Sequence, residues 1–415
     1  MSQSVKIFGG CLYVRYIDII SCFSYYRIGF LGATMKKIYL DHSATTPLDS
    51  RVLDAMMPFL TQEFGNPSSL HGFGRPAKVA LEAARETIAK TLGCSPGEIY
   101  FTSGGSEADN LAIRGIAEAL SDKGKHIITN HLEHHAVLHT MDYLAQQGFE
   151  ISYAKSDSFG MIHPEVIREL IRPDTILISV MHVNNEVGTV NPIAEIGRMA
   201  RERHILFHTD AVQSYGKLPI HAGEFNIDLM SMSAHKLYGP KGVGALYIRR
   251  GIKPIPILYG GSQERGQRAG TENLAGIVGF AKAAELCHEV METESQRLTQ
   301  LRQRLWEEIS STISGCHLNG HPDKRLPGHL NVSIEGVMGD EMLIHLDLAG
   351  IAVSTGSACT SGSVSTSHVL NAMGIDAMIA RGAVRMTMGR STLSDDIPLI
   401  VEAVRFSVEK ARAAN

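Results

Sequence analysis

From about residue 90 onward, short runs of consecutive apolar residues alternate with stretches whose apolar positions recur every three or four residues. The runs EIYFTS, HIIT, FEISYA, TILISVMHV, ILFHTD, DLMSMS and GALYI contain few polar interruptions, as strands covered on both faces do. Between them lie helical patterns. Residues 106–121 place Ile113, Ile116 and Leu120 on one face, with Ser106 and Asp109 as a capping pair at the start. Strand and helix in alternation predict crossover connections and an α/β sheet. Near residue 285 the rhythm changes to a long helix with a polar face, Leu298, Leu301, Leu305 and Ile309 standing at helical spacing. A shorter α+β tail follows, which predicts a second domain. No repeat, low-complexity tract or long linker breaks the chain.

The first 34 residues read differently, holding four Tyr and three Phe where the whole chain is 6% aromatic. Arg15, Asp18 and Arg27 interrupt this stretch before it reaches the ~18 apolar residues of a membrane span, and no small-residue cleavage site follows. Met35 then opens MKKIYLDHSATTP, a strand and a turn. The expectation is an N-terminal extension that is untranslated or disordered, with translation starting at Met35; an intact mass beginning at Met1 would contradict the first of these.

Composition narrows the function by exclusion. With 44% apolar residues, 20% charged residues and a formal net charge of −4 over 415 residues, the chain suits neither disorder nor nucleic-acid binding. Small-molecule chemistry is the default. The six cysteines, at 11, 22, 94, 287, 316 and 359, form no CxxC pair, which predicts free thiols in a reducing, cytoplasmic compartment.

The candidate chemistry clusters just after the apolar runs, at the edge where open α/β sheets hold ligands. Lys236 stands between a strand-like run and the loop YGPKG, directly after Ser233, Ala234 and His235; an amine held there is suited to a Schiff base. Gly104, Gly105 and Ser106 in FTSGGSEADN form either a plain strand-to-helix corner or a phosphate cradle at a helix start. Asp210 in HTDAVQS, with Gln213 three residues on, is either a helix cap or a buried carboxylate that needs a cationic partner. A phosphate anchor, a strand-end acid and a strand-end lysine, in this order, match what pyridoxal phosphate requires. The histidines at 131, 134, 135 and 139 can ligate a metal, remain structural, or stack and move protons, and the absence of HExxH order or a cysteine pair counts against metal. Cys359 lies among Ser, Thr, Gly and Ala, a setting that keeps a thiol accessible, whereas Cys287 falls within an apolar helical pattern and Cys94 follows a helix end. Arg385 and Arg390 each fit a surface ion pair or a fork for a substrate carboxylate.

Together these residues resemble the cysteine desulfurases of the NifS/IscS type, within the class-V aminotransferases and the fold-type I pyridoxal phosphate enzymes. YLDHSATTP, FTSGGSEADN, EHHAVL, HVNNEVGTV, HTDAVQS, SAHKLYGPKGVGALY, GGSQERGQRAGTEN, GSACTSG and VRMTMGR are similar to that family's motifs in order and approximate spacing, from about residue 37 to the C-terminal region. The resemblance implies a large domain over 46–291 with a mixed, mainly parallel seven-stranded sheet, and a small α+β domain formed by 35–45 and 292–415 that carries the cysteine loop. It implies that Lys236 bonds pyridoxal 5'-phosphate, Asp210 pairs with the ring nitrogen and His134 stacks on the ring. Gln213 and Asn185 would meet the ring oxygen and its surroundings, and Gly105, Ser106, Ser233 and His235 the phosphate. Thr271 resembles a phosphate ligand given by the neighbouring subunit of a homodimer. Arg385, with Asn185, matches the substrate carboxylate site, and Cys359 the residue that becomes a persulfide.

The implied activity is conversion of L-cysteine to L-alanine, with Lys236 as base, His134 moving protons, and sulfur passing from Cys359 to an acceptor such as an iron-sulfur scaffold or a tRNA-thiolation enzyme. Neither direct nucleic-acid binding nor a membrane is expected. The alternatives are a selenocysteine lyase, an aminotransferase or a non-catalytic scaffold for sulfur carriers. The sequence departs from the family at His42 and Ser43, where many members read Asn and Ala, and at Val364, Ser365 and Thr366, which replace a common Leu-Glu-Pro.

Overall fold

The computed structural model describes residues 36–355 and 367–414. The predicted start at Met35, Cys359 and the departure at Val364 to Thr366 lie outside the described residues. After a short β1 (Ile38–Tyr39), the seven apolar runs form β2 (Ile99–Thr102), β3 (His126–Asn130), β4 (Glu150–Ala154), β5 (Thr175–Ser179), β6 (Leu206–Asp210), β7 (Leu229–Ser233) and β8 (Gly244–Ile248). They make one sheet in the order β2-β8-β7-β6-β5-β3-β4. Pairing is parallel from β4 through β7, and β8 runs antiparallel to both its neighbours. This is the mixed, mainly parallel sheet that the sequence implied. Every residue of β3, β5, β7 and β8 is buried, which is why these strands read as unbroken apolar runs rather than alternating ones.

Two helices differ from expectation. The helix predicted at 106–121 is Gly105–Ala119, with Gly104 in the cap position. Ser106 therefore sits inside the first turn and no side chain caps the helix; Glu107 instead ties down the residue before the cap, accepting from Ser103 N at 2.9 Å. Asp109 faces the sheet at 1% exposure. The long helix begins at Leu274, well before residue 285, and runs to Thr312. Its first half is buried in the large core and lacks a polar face, so the periodicity becomes visible only where the second half reaches the surface.

That helix joins two cores. Leu274 to Cys287 pack with the large sheet, while Leu301, Leu305 and Ile309 pack against β10 (His329–Ile334). β10 lies between β9 (Cys316–Leu318) and β12 (Ala383–Thr387), antiparallel to both. β11 (Ile351–Ala352) pairs in parallel with β1, which draws Ile38 and Leu40 into the second core. Among the described residues no helix is long and apolar enough to cross a membrane.

Candidate active site

β5, β6 and β7 run parallel and adjacent, so Ser179, Asp210 and Ser233 end at one edge of the sheet. A short 3-10 turn, Ala234–Lys236, carries the chain over that edge. Lys236 Nζ donates to Ser43 O at 2.5 Å and Ala44 O at 2.8 Å, carbonyls of the turn that follows β1. Burial, followed by the charges of Lys217 and Arg385, pushes the Lys236 amine down to about 8, although Asp210 and Asp41 pull the other way.

Asp210 is buried, and burial raises its carboxyl to about 6 against the opposing effects of a hydrogen bond from Val212 N at 2.8 Å and the charge of Lys236. Among the described residues no cation lies within ion-pairing distance of it, so the chain does not itself supply the expected cationic partner. β6 places His208 two residues before Asp210 and hence on the same face. His208 Nε2 meets Ser231 Oγ at 3.0 Å and stands 3.6 Å from Asp109 Oδ1, and Nδ1 meets Ser179 Oγ at 2.9 Å. Burial, then the nearness of Asp210, raises the Asp109 carboxyl well above the ordinary range, and burial lowers His208 to about 3. The His208 ring is therefore neutral near pH 7, and Asp109 holds its proton more tightly than an ordinary carboxyl because it is buried beside Asp210.

The helix Gly105–Ala119 directs its unpaired first amides at the same edge. A Cβ at Gly105 would lie 2.6 Å from Val212 Cγ2, and one at Gly244 would lie 2.8 Å from Gly104 Cα, so the glycines let this backbone press against β8 and the turn after β6. Ser233 is buried, Ser106 exposed and His235 between the two. Gln213 Oε1 and Arg385 Nε are buried without a partner. Helix amides, serine hydroxyls, an amine, an unpaired carboxyl and two orphaned polar atoms fit a phosphorylated, ring-bearing aldehyde such as pyridoxal phosphate.

His134 caps the helix His135–Gln146, its Nδ1 accepting from Ala136 N at 3.1 Å, which leaves the proton on Nε2. Burial and the charge of Lys236 push its imidazole down to about 4, so the ring is neutral. The other histidines stack: His131 on Tyr153 with centroids 4.0 Å apart, and His135 on His139 at 5.0 Å.

Arg385 Nη2 pairs with Asp41 Oδ1 at 2.8 Å and Nη1 donates to Asn185 O at 2.9 Å. Gln213 Nε2 donates to Ser43 O at 2.9 Å, so the same carbonyl holds Gln213 and Lys236. The His42 and Ser43 side chains turn away from Lys236, to Thr387 O and His329 Nδ1 respectively, and the turn offers Lys236 only its backbone. Arg390 stands apart from this group, bonded to Asp49 and Cys287 and lying 4.2 Å over the Tyr238 ring. Thr271 is exposed at the end of the 260–273 loop, and no hydrogen bond joins it to the other candidate residues described.

Sequence reasoning missed Asp41, Asp109, His208, Glu133 and Glu186. Asp109 shares the helical stripe of Ile113 and Ile116, and an acid on an apolar stripe was the available signal. Glu133 is buried and raised to about 8, its Oε1 accepting from Met181 N at 2.7 Å and Asn130 Nδ2 at 2.5 Å. Glu186 accepts from Ser367 Oγ, and His368 Nε2 meets Glu133 O at 3.1 Å. On the other side, Ser354 N donates to Arg385 O at 3.1 Å. Both ends of the 356–366 segment are therefore fastened beside the Lys236 site.

Residues 38–400 match the family Aminotransferase class-V. The chain is 51% identical over 377 residues to cysteine desulfurase IscS of Dictyoglomus turgidum, covering 91% of this chain and 96% of the relative. It is also 51% identical over 377 residues to cysteine desulfurase IscS of Methanosarcina thermophila, covering 91% and 93%. Among solved structures a NifS-like protein superposes with a TM-score of 0.85 at 38% identity, over 90% of this chain and all of the other.

Proposed function

The chain belongs to the class-V aminotransferase family, and from that premise we infer that it is a pyridoxal-phosphate-dependent cysteine desulfurase, which releases L-alanine from L-cysteine and holds the sulfur as a persulfide on Cys359. The observation that carries this reading beyond the family is the fastening of both ends of 356–366, at Ser354 to Arg385 and at Ser367 to Glu186. Cys359 lies five residues past Ser354, so the chain can carry it no more than about 17 Å from that fastening point.

Pyridoxal phosphate, when bound, supplies an aldehyde carbon and an electron-accepting ring. In this reading Lys236 would hold it through Nζ, Asp210 would pair with the ring nitrogen, and the Gly105 and Ser106 amides with Ser233 and His235 would take the phosphate. His134 would stack on the ring with a neutral imidazole. Arg385 keeps a free Nε for the substrate carboxylate, next to Asn185. The amino group of L-cysteine would take the place of Nζ, and the Lys236 amine so freed, which burial makes readily deprotonated for a lysine, takes the Cα proton. The Cys359 sulfur attacks the substrate sulfur: an S–S bond forms as the Cβ–S bond breaks, the electron pair stays with the three-carbon fragment, a proton carried by His134 goes to Cβ, and the proton held by Lys236 returns to Cα to complete L-alanine. An acceptor protein then takes the persulfide sulfur.

The reading includes a homodimer with shared sites. Leu53, Met57, Leu60, Phe64, Phe73 and Val79 form an exposed apolar surface, Phe64 and Phe73 stacked at 5.7 Å, and Tyr259 extends the apolar exposure into the loop that ends at Thr271. Exposed apolar side chains gathered in this way mark an interaction surface. It further includes a large domain over 46–291, a small one over 35–45 and 292–415, and a cytoplasmic location. The test is to incubate the holoenzyme with L-cysteine and a thiol reductant. A desulfurase yields L-alanine and sulfide in equal amounts, whereas an aminotransferase yields a keto acid and leaves the carbon–sulfur bond intact.

A further inference from the structure

The loop between β8 and the long helix contains an uncommon piece of backbone. Glu264, Arg265 and Gly266 take φ of 45°, 56° and 81° in succession, a single turn wound to the left. An L-residue with a side chain adopts this conformation under strain, because its Cβ crowds the following carbonyl. Strain persists where the surroundings over-determine it. Here the two strained residues are held by their own side chains. Glu264, 5% exposed, forms a fork with the 3% exposed Arg85, Nη1 to Oε2 and Nη2 to Oε1 both at 2.8 Å, and Oε2 also accepts from Phe101 N at 2.8 Å. Arg265 lies 5.1 Å over the Tyr100 ring and donates to Gly97 O at 3.1 Å.

Desolvation offsets most of the attraction in a buried ion pair, so the pair is better explained by the conformation it fixes. What it fixes leads to Thr271. Gln263, at the base of the turn, accepts from Gly270 N at 3.1 Å, and Gly270 is the residue before Thr271, with φ of 102°. Arg268 ties the same loop to the phosphate-side helix through Glu107 at 2.9 Å.

We propose that Arg85, Glu264 and the left-handed turn they lock are the positioning device that presents Thr271 to the site of a second copy of this chain, so that the pair governs cofactor binding in the neighbouring site rather than its own. This rests on the shared-site reading above. Arg85 and Glu264 touch neither substrate nor cofactor; they act through Thr271.

Mixed dimers carrying two affinity tags separate the possibilities, with Lys236→Ala marking one site as inactive. In the first dimer, one subunit carries Lys236→Ala and the other Glu264→Gln. The surviving lysine then belongs to the Glu264→Gln subunit, and its site receives Thr271 from a chain with native Glu264. In the second dimer both substitutions are in one subunit, so the surviving site receives Thr271 from the altered chain. The readouts are the cofactor dissociation constant, from titration of the apo dimer, and alanine formation. The first dimer should show native affinity and about half the turnover of wild type. The second should bind cofactor roughly ten- to a hundredfold more weakly, the loss of one hydrogen bond to a charged group.

The reverse pattern, or native affinity in both dimers, overturns the proposal. Thr271→Ala in place of Glu264→Gln is the control. If the control lacks the pattern, the shared-site reading falls and the proposal falls with it; if the control shows it and Glu264→Gln does not, the proposal alone falls. Should the unpaired Arg85 keep the Glu264→Gln chain from folding, Arg85→Met with Glu264→Leu removes both charges and the bond to Phe101 N, and the same two dimers are read.

Discussion

Lys236 is held by two backbone carbonyls rather than by a carboxylate, an arrangement that fixes the amine in place and lets burial depress its basicity. Lys236→Ala should lose the visible absorbance of the bound cofactor and essentially all turnover, because it removes the amine that would bond the aldehyde carbon. Turnover at the wild-type rate would remove Lys236 from the site. Glu133 gives a second prediction, on stability. Its carboxyl shifts from 4.5 to about 8 on folding, so the folded chain binds the extra proton between these values and stability falls as pH rises through that window. The cost is roughly 3 kcal/mol by about pH 7. Glu133→Gln keeps an acceptor for Met181 N but does not titrate, so its gain in melting temperature over wild type should grow from about pH 5 to about pH 8; a constant difference would show that Glu133 is ionised throughout. Lys236 and Asp210 were legible because each ends an apolar run. Asp109 was not, because its position after Ser106 also fits a cap, and only the close approach of its helix to β6 and β7 shows which way it faces.

The elements follow the same division. Strands covered on both faces appear in the sequence as continuous apolar runs, and all seven entered one sheet. The long helix was legible only in its second half, since a helix buried on every side has no periodicity to read. The apolar surface formed by Leu53, Met57, Leu60 and Phe64 went unread in the sequence, because amphipathic spacing shows an apolar face without showing what covers it. The short helix His368–Ala372 deserves its own test. Ser367 Oγ both caps it, accepting from Leu370 N at 3.2 Å, and donates to Glu186. Ser367→Ala loosens the fastening of the cysteine segment at a cost of about 1 kcal/mol to the fold. Persulfide formation should slow by roughly ten- to a hundredfold while the cofactor spectrum is unchanged. An unaltered rate of persulfide formation would detach this helix from the mechanism.

At the scale of the whole molecule, the sheet edge collects the residues for cofactor and proton chemistry, the second core supplies Arg385 and the fastening at Ser354, and the fastening at Ser367 lies against the large core, where Val369 and Leu370 pack. Phe64→Asp with Phe73→Asp should give a monomer by light scattering and weaken cofactor binding, because each site loses the Thr271 of its neighbour; a dimer that persists would place the interface elsewhere. Sulfur transfer is the claim on which the account stands. The three described cysteines are poor nucleophiles: burial pushes Cys94 up to about 12 and also raises Cys287 and Cys316. Cys359 is thus the one to test, and Cys359→Ser changes a polar, Gly- and Ser-rich segment very little. The measurement is one turnover of the holoenzyme with L-cysteine, followed by the cofactor spectrum, intact and peptide mass, and assay of L-alanine. Wild type should gain one sulfur, on Cys359, and release alanine. Cys359→Ser should perturb its cofactor spectrum as wild type does, gain no sulfur and release no alanine. Full alanine release by the serine variant, or a persulfide found on Cys94 in the wild type, would contradict the account.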